Sequence, residues 1–298
     1  MGEHTISMKN FSGSETSAGM RLFALSFSAL FLELLVIRWV PSQVRLVAYY
    51  ANLMLISSFL GLGIGAMLAS RNLKLSRFFV PMMTAMVVFI LLCSGLAMPG
   101  SSGEARFFNA PPKIVGYVVL VGIFTANTLM FVPIGEEVGR LFGLMPPLRA
   151  YCWDLLGSLA GTVLFGIFSI RIFSPLAGFA IVTLIYFLVF PRRLATIDAV
   201  IGLSLLGIIA LTSDWGAVWS PYHYLTVHDP WGKRVNEPEA EHQHRMDPMP
   251  YVVRVNQDIY QAHTTIDPAR YTNGSEFALM NQYNMVQYPL PYKFRPNP

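Results

Sequence analysis

"FLELLVIRWV" (residues 31–40) is a hydrophobic run that contains a carboxylate, Glu33, and a guanidinium, Arg38. Both are costly guests there. A charged side chain at mid-bilayer costs about 2.5–3.5 kcal/mol on insertion scales, and such residues face a bundle interior and find partners. The question they raise is settled by the chain around them. Of 298 residues, 54% are hydrophobic and 13% are charged, with a mean hydropathy of +0.48. Soluble domains carry roughly 25% charged residues. Half that charge does not cover a water-soluble surface of this size, whereas a bilayer removes the need for cover. The net charge of +4 is mild, and no dense Lys/Arg stripe occurs, which points to basic loops near lipid head groups more than to a nucleic-acid surface.

A spanning helix needs about 20 mostly apolar residues. Seven segments qualify or come near: 21–40, 47–69, 78–98, 114–132, 151–170, 174–190 and 197–211. The last two are short. Pro41, "RNLK", "PGSSG", "NAPPK", "PPLR", "SP" and "PRR" stand at the breaks. The first twenty residues are polar and lack the apolar region of a cleavable signal peptide. The expected architecture is an all-α polytopic transmembrane bundle of about seven spans (21–212), preceded by a polar tail (1–20) and followed by a small β-rich extramembrane subdomain (213–298).

If the N-terminus lies in the cytoplasm, inside loops hold Lys9, Arg21, Arg71, Lys74, Arg77, Arg140, Arg149, Arg192 and Arg193. Outside loops hold Arg38, Arg45, Arg106, Lys113 and Arg171. The bias favours an inside N-terminus, and seven spans then place the tail outside.

Lipid gives no hydrophobic reward for helix pairing, so small residues that let backbones approach carry more of the packing. "GLGIGAMLAS" holds Gly61, Gly63 and Gly65, and "GSLAG" holds Gly157 and Gly161 four apart on one face. Gly61, Gly65, Gly157 and Gly161 are therefore expected at helix contacts, with a transport hinge as the alternative. Glu33 and Arg38 are five residues apart, about 140° around a helix. Arg38, near its span's end, can reach the interface. Glu33 is deeper and needs protonation or a polar partner such as Asn52, Asn127, Arg149 or Arg38. With Asp154 it forms either a proton or cation path or a set of packing anchors. Glu33, Arg38, Asn127 and Asp154 are the intramembrane polar candidates.

After Leu211 the chain turns polar and aromatic. "SPYHYLTVHD" (220–229) reads as a strand, "YVVRVNQDIYQ" (251–261) as two strands about a turn, and "SEFALMNQYNMVQY" (275–288) as a short helix. The tail holds five of six histidines. Only His242 and His244 are close, with no second pair at a ligand spacing, so no metal site is assigned. No GxSxG, HExxH, P-loop or GxGxxG occurs. Cys93 and Cys152 sit in apolar segments and read as buried free thiols.

Taken in order, "LELLVIRW" (32–39), "SFLGLGIGAMLAS" (58–70), "YCWDLLGSLAGTVL" (151–164) and "WSPYHYLTV" (219–227) resemble the bacterial multi-span membrane proteins fused to a spermidine-synthase-like domain. The resemblance covers most of the chain. It implies an inner-membrane, multi-pass protein whose tail is the β-rich entry subdomain of an aminopropyltransferase-type fold. By it, "VNQDIYQ" and "QYNMVQYPLP" place Gln261 and Tyr283 near a polyamine site. The family's Asp-Gly before that glutamine is absent, and Asn284 stands where the family has His. The resemblance also implies a Rossmann-like domain that binds S-adenosylmethionine or its decarboxylated form. The residues here end before it, so no cofactor and no catalytic residue are assigned to this chain. The expected partners are the lipid bilayer, a separate or missing Rossmann-like domain and an oligomeric copy, with no nucleic acid. A small-molecule or polyamine transporter, and a scaffold subunit of a membrane complex, are the alternatives.

Overall fold

The computed structural model describes residues 2–50, 52–71, 73–94, 114–171, 173–193, 196–213, 217–220, 223–228, 251–255 and 258–263. Side chains are described between residues 16 and 227 within these ranges, Arg45 and Arg192 excepted, and at Val255. Eight α-helices lie among them: α1 (Gly2–Gln43), α2 (Arg45–Tyr49), α3 (Asn52–Leu68), α4 (Phe79–Ser94), α5 (Ile114–Phe142), α6 (Pro147–Arg171), α7 (Pro175–Val189) and α8 (Ile197–Thr212). Five segments are long and apolar enough to cross a membrane: Thr16–Gln43, Asn52–Arg71, Leu75–Ser94, Ile114–Phe142 and Pro147–Arg171. The helices α7 and α8 are apolar but shorter.

The helix ends follow local chemistry, and they correct several of the expected boundaries. Pro41 does not stop α1. It sits inside the last turn, and the chain leaves the helix at Val44, whose φ is −121°. The segment 47–69 is broken at Tyr50, so α2 and α3 are separate helices. Before α4 a 3-10 turn, Leu75–Phe78, is entered from Lys74 in the left-handed region (φ 54°). The largest difference is α5, which passes through Pro133 and ends at Phe142 instead of Val132. A proline inside a helix removes one hydrogen bond, a loss that neighbouring helices offset in membrane bundles. Ser174 caps α7, its hydroxyl accepting from the Ala177 amide at 3.5 Å, with Pro175 at the first helical position.

The central helix is α1, with Phe31, Leu32, Leu35, Val36 and Val40 fully buried. It runs parallel to α6. Gly157 and Gly161 of α6 rest on the backbone of Phe23 and Phe27, and Phe31 stacks edge-on against Phe165 at 5.5 Å. It runs antiparallel to α5, where Arg21 meets Glu137, and to α7, where Leu35 covers Gly178 and Arg21 lies over the Phe190 ring. A second parallel pair is α3 with α5. Gly61 and Gly65 lie against the backbone of Thr128 and of Val132 to Glu136, while Gly135 and Gly139 lie against Leu62 and Ala66. Outward faces are apolar: Met67, Leu92, Val118, Leu159, Leu188 and Leu203 are all exposed. Helix hydroxyls turn back onto their own carbonyls, as Thr84 does to Val80, Thr125 to Val121, Thr183 to Phe179 and Ser204 to Val200. Such bonds hide a polar group where no water is available.

The chain divides into two units, Met1–Asp214 with Trp219–His223, and Trp215–Val218 with Tyr224–Pro298. In the second, β2 (Tyr224–His228), β3 (Tyr251–Val255) and β4 (Asp258–His263) form an antiparallel meander, preceded by a two-residue strand, β1 (Val218–Trp219). The register pairs Val227 with Val253 and Val252 with Ala262. It shifts between Val253 and Arg254, so β4 carries an extra residue, Tyr260, as a bulge. The helix expected over 275–288 lies outside the described residues.

Candidate functional site

Polar groups gather at three levels of the bundle. At the end where α1 enters, Glu136 and Glu137 of α5 are both buried. Glu136 accepts hydrogen bonds from the Lys74 amide (3.1 Å) and the Leu75 amide (2.8 Å), which holds the left-handed turn at Lys74 in place. Glu137 accepts from Arg21 Nη2 (2.9 Å), Arg140 Nε (3.0 Å) and Arg140 Nη2. Tyr186 donates to the Ser76 carbonyl at 3.0 Å. A crevice among Leu25, Phe79, Pro133, Glu137, Val182 and Tyr186 has a free volume of about 10 Å³. That is room for one water and too little for a substrate.

At mid-depth Asn127 of α5 reaches α3. Its Nδ2 donates to Ser57 Oγ (2.6 Å), Ser58 Oγ (2.9 Å) and the Met54 carbonyl (3.1 Å). Asn127 is 0% exposed, and its Oδ1 has no donor. Glu33 is 1% exposed, and neither Oε1 nor Oε2 has a hydrogen-bond partner. None of Asn52, Asn127, Arg149 and Arg38, the four partners open to Glu33 from sequence, bonds it. Asp154, at the start of α6, accepts from Ser26 Oγ of α1 at 2.5 Å.

At the far end Arg38 clamps α1 to the end of α6 and to the segment after α8. Its Nη1 donates to the Ser169 carbonyl (3.0 Å) and hydroxyl, and its Nη2 donates to the Ser220 carbonyl. The guanidinium lies 3.8 Å from the Phe173 ring centre and 5.8 Å from that of Trp219. A planar cation can bond edgewise and stack facewise at once, which suits Arg to this position better than Lys. Arg38 does not snorkel freely to the interface; it is tied at both ends of its fork.

All four glycines singled out from the sequence lie at helix contacts: Gly61 and Gly65 at α3/α5, and Gly157 and Gly161 at α1/α6. Gln261 lies on β4 opposite Val253 in the backbone register, and Tyr283 lies outside the described residues. Cys93 is buried as expected of a core thiol, whereas Cys152 is exposed on the outer face of α6 and not buried. His223 is the one histidine with a described side chain. Among the described residues no group of three or more His, Cys, Asp or Glu is placed to hold a metal.

The expected fourth span, 114–132, ends before the Glu136–Glu137 node, so the sequence reading missed it. The available signal was "GEEVGR", where Glu137 and Arg140 are three apart on a helix and Gly135 and Gly139 are four apart. It also missed Ser26, Ser57, Ser58 and Ser169, since a serine's partner is decided by which helix lies beside it.

The class these features define is a helical membrane protein whose helices are joined by glycine contacts and buried polar bonds. No family model matches the chain, and no curated protein and no solved structure is found similar to it.

Proposed function

We propose that the chain is the membrane-embedded part of a spermidine-synthase-like protein. On this reading seven helices span a bacterial inner membrane, with the N-terminus in the cytoplasm. They hold a small β-rich subdomain outside the bilayer, and this chain performs no catalysis alone. A Rossmann-like domain that binds S-adenosylmethionine or its decarboxylated form is the partner the subdomain would serve, and Gln261 and Tyr283 would face a polyamine. One observation carries the reading. Arg38, from the first stretch that bears the resemblance, holds Trp219 and Ser220, from the last, although 182 positions separate Arg38 and Ser220. The glycines of the two middle stretches meet neighbouring backbones. The first and last of the stretches that carry a resemblance by order alone are thus also physically joined, as parts of one anchoring unit would be.

Arg38→Gln tests the anchor. In detergent the variant should keep its helices, while protease cleavage between residues 213 and 223 becomes faster than in the wild type. Equal cleavage rates would refute the clamp. A second reading, a transporter, is favoured by the unpartnered Glu33, because ionisable groups in that state mark ion or proton paths. Proteoliposomes containing the chain should take up no more polyamine than empty ones; uptake that disappears in Glu33→Gln would replace the anchor with a transporter.

A further inference from the structure

We propose that Glu33 and Asn127 form a buried site for one small monovalent cation, a sodium ion or a proton. This inference goes beyond the anchoring role and does not depend on it. It starts from two complementary deficits. Glu33 presents two oxygens without a donor, and Asn127 presents one, all in the bundle interior. Three acceptor atoms without a donor are unstable in hydrocarbon unless something positive lies among them.

The helix directions bring the two residues to one level. Arg21 of α1 bonds Glu137 of α5, and these helices are antiparallel. Twelve residues along α1 from Arg21, about 18 Å at 1.5 Å per residue, lies Glu33. Ten residues back along α5 from Glu137, about 15 Å, lies Asn127. The two therefore sit within about one helical turn in depth. Around α1, Glu33 follows Leu22 by eleven residues, about 20°, and Leu22 packs in one cluster with Leu141 and Met145, at and just beyond the end of α5, and with Ala150 of α6, so Glu33 lies on the side of α1 that meets these two helices. Asn127 already draws in the Ser57 and Ser58 hydroxyls and the Met54 carbonyl. Those three bonds occupy Nδ2 and leave Oδ1 open, and oxygen is the donor type that small hard cations select.

Other charges are committed elsewhere. The helices α3 and α4 carry no charged residue, and Cys93 is the one titratable group between them. On α5, Glu136, Glu137 and Arg140 are engaged at the far end of the helix. On α6, Asp154 is bonded to Ser26, and Arg149 and Arg171 stand near the helix ends. On α7 the Tyr186 hydroxyl is bonded to Ser76. Arg38 lies about 140° around α1 from Glu33 and is held by Ser169 and Ser220. The compensating charge for Glu33 must then come from solution.

Thermal unfolding of the purified full chain in detergent tests this, with sodium chloride compared against choline chloride at fixed pH, and then pH varied in choline chloride. A ligand bound only by the folded state raises the midpoint with its concentration. The wild-type midpoint should rise with sodium, or with falling pH, with the slope of a single cation per chain. The response should vanish in Glu33→Gln. A sodium response at constant pH identifies the metal ion, and a pH response alone identifies the proton. Infrared difference spectra of the wild type provide a readout that needs no variant: loading the site should change a carboxyl band. A flat wild-type midpoint with no carboxyl change, or a response that survives in Glu33→Gln, overturns the proposal.

Discussion

Gly65 gives the most direct test of how the bundle is held together. A Cβ added there would lie 2.6 Å from the Glu136 amide nitrogen and 2.8 Å from the Gly135 carbonyl carbon, with the Val132 carbonyl oxygen nearer still. All three are backbone atoms of α5, so no rotamer change relieves the clash. Ordinary contact begins near 3.4 Å, and α3 must therefore retreat by about 0.8 Å or more. A gap of 0.5–1 Å forfeits roughly a quarter to a half of the dispersion energy at the contact. The same movement stretches the bonds from Asn127 to Ser57, Ser58 and Met54, now 2.6, 2.9 and 3.1 Å, so that two of the three pass beyond hydrogen-bond range. Interhelical hydrogen bonds in membranes average about 0.6 kcal/mol, and overpacking costs about 1–3 kcal/mol. Gly65→Ala should therefore lose about 2–4 kcal/mol, less the roughly 1 kcal/mol that alanine returns in helix propensity. Gly63 supplies the control, because a Cβ there meets nothing within 4 Å. Gly63→Ala should be neutral or slightly stabilising. The assay is the fraction of protein that remains monodisperse in detergent after heating. Equal midpoints for the two variants would refute the claim that α3 and α5 meet through their backbones.

Two further outcomes follow from the polar groups. Glu137→Ala leaves Arg21 and Arg140 without their carboxylate. Their side chains are 37% and 35% exposed, so solvent screening brings the loss below that of a fully buried pair, to about 1–2 kcal/mol by thermal unfolding. Glu136→Ala removes the acceptor for two amides and should cost about 1 kcal/mol, with faster tryptic cleavage at Arg71, Lys74 or Arg77 as the local readout. In the second unit, burial pushes the Tyr224 phenol up to about 12. A raised pKa means that the folded state holds its proton longer than the unfolded state. This contribution is therefore complete below about pH 10 and is lost as pH rises towards 12. The phenolate absorbance that Tyr224→Phe removes should appear above pH 11, and its appearance near pH 10 would refute the burial.

The helices themselves were legible because an apolar run of sufficient length has one meaning in lipid. The partners were not. A helix that is apolar all round has no stripe to say which side faces a neighbour. Gly61 and Gly65 indicated a close contact, but their match, Gly135 and Gly139, lay past residue 132, where the span was expected to end. Pro41, expected at a break, sits inside a helix, as Pro133 does. In the second unit, alternation of β-branched residues marked β3 and β4, while the turn expected between them lies at residues outside those described. The bulge at Tyr260 depends on cross-strand register, which one strand's sequence does not contain.

The glycine contacts and the polar bonds are one device. A serine hydroxyl is short, so it reaches a neighbouring helix only where backbones approach closely, and small residues are what permit that approach. Among the described residues, the three interhelical links that involve a serine hydroxyl lie accordingly near glycine. Ser57 and Ser58 meet Asn127 next to Gly61, Ser26 meets Asp154 next to Gly157, and Arg38 meets Ser169 on the same α1/α6 face as Gly161. A glycine substitution in this bundle therefore removes two interactions, and its cost should exceed that of the same clash between purely apolar helices. Glu33 is the acid that this device leaves over. It shares the helix α1 with Ser26 and Arg38, yet no serine or amide reaches it. A group retained for packing alone would be expected to have a partner as its neighbours do, and the absence of one is what sets Glu33 apart as a site for a charge that arrives from outside.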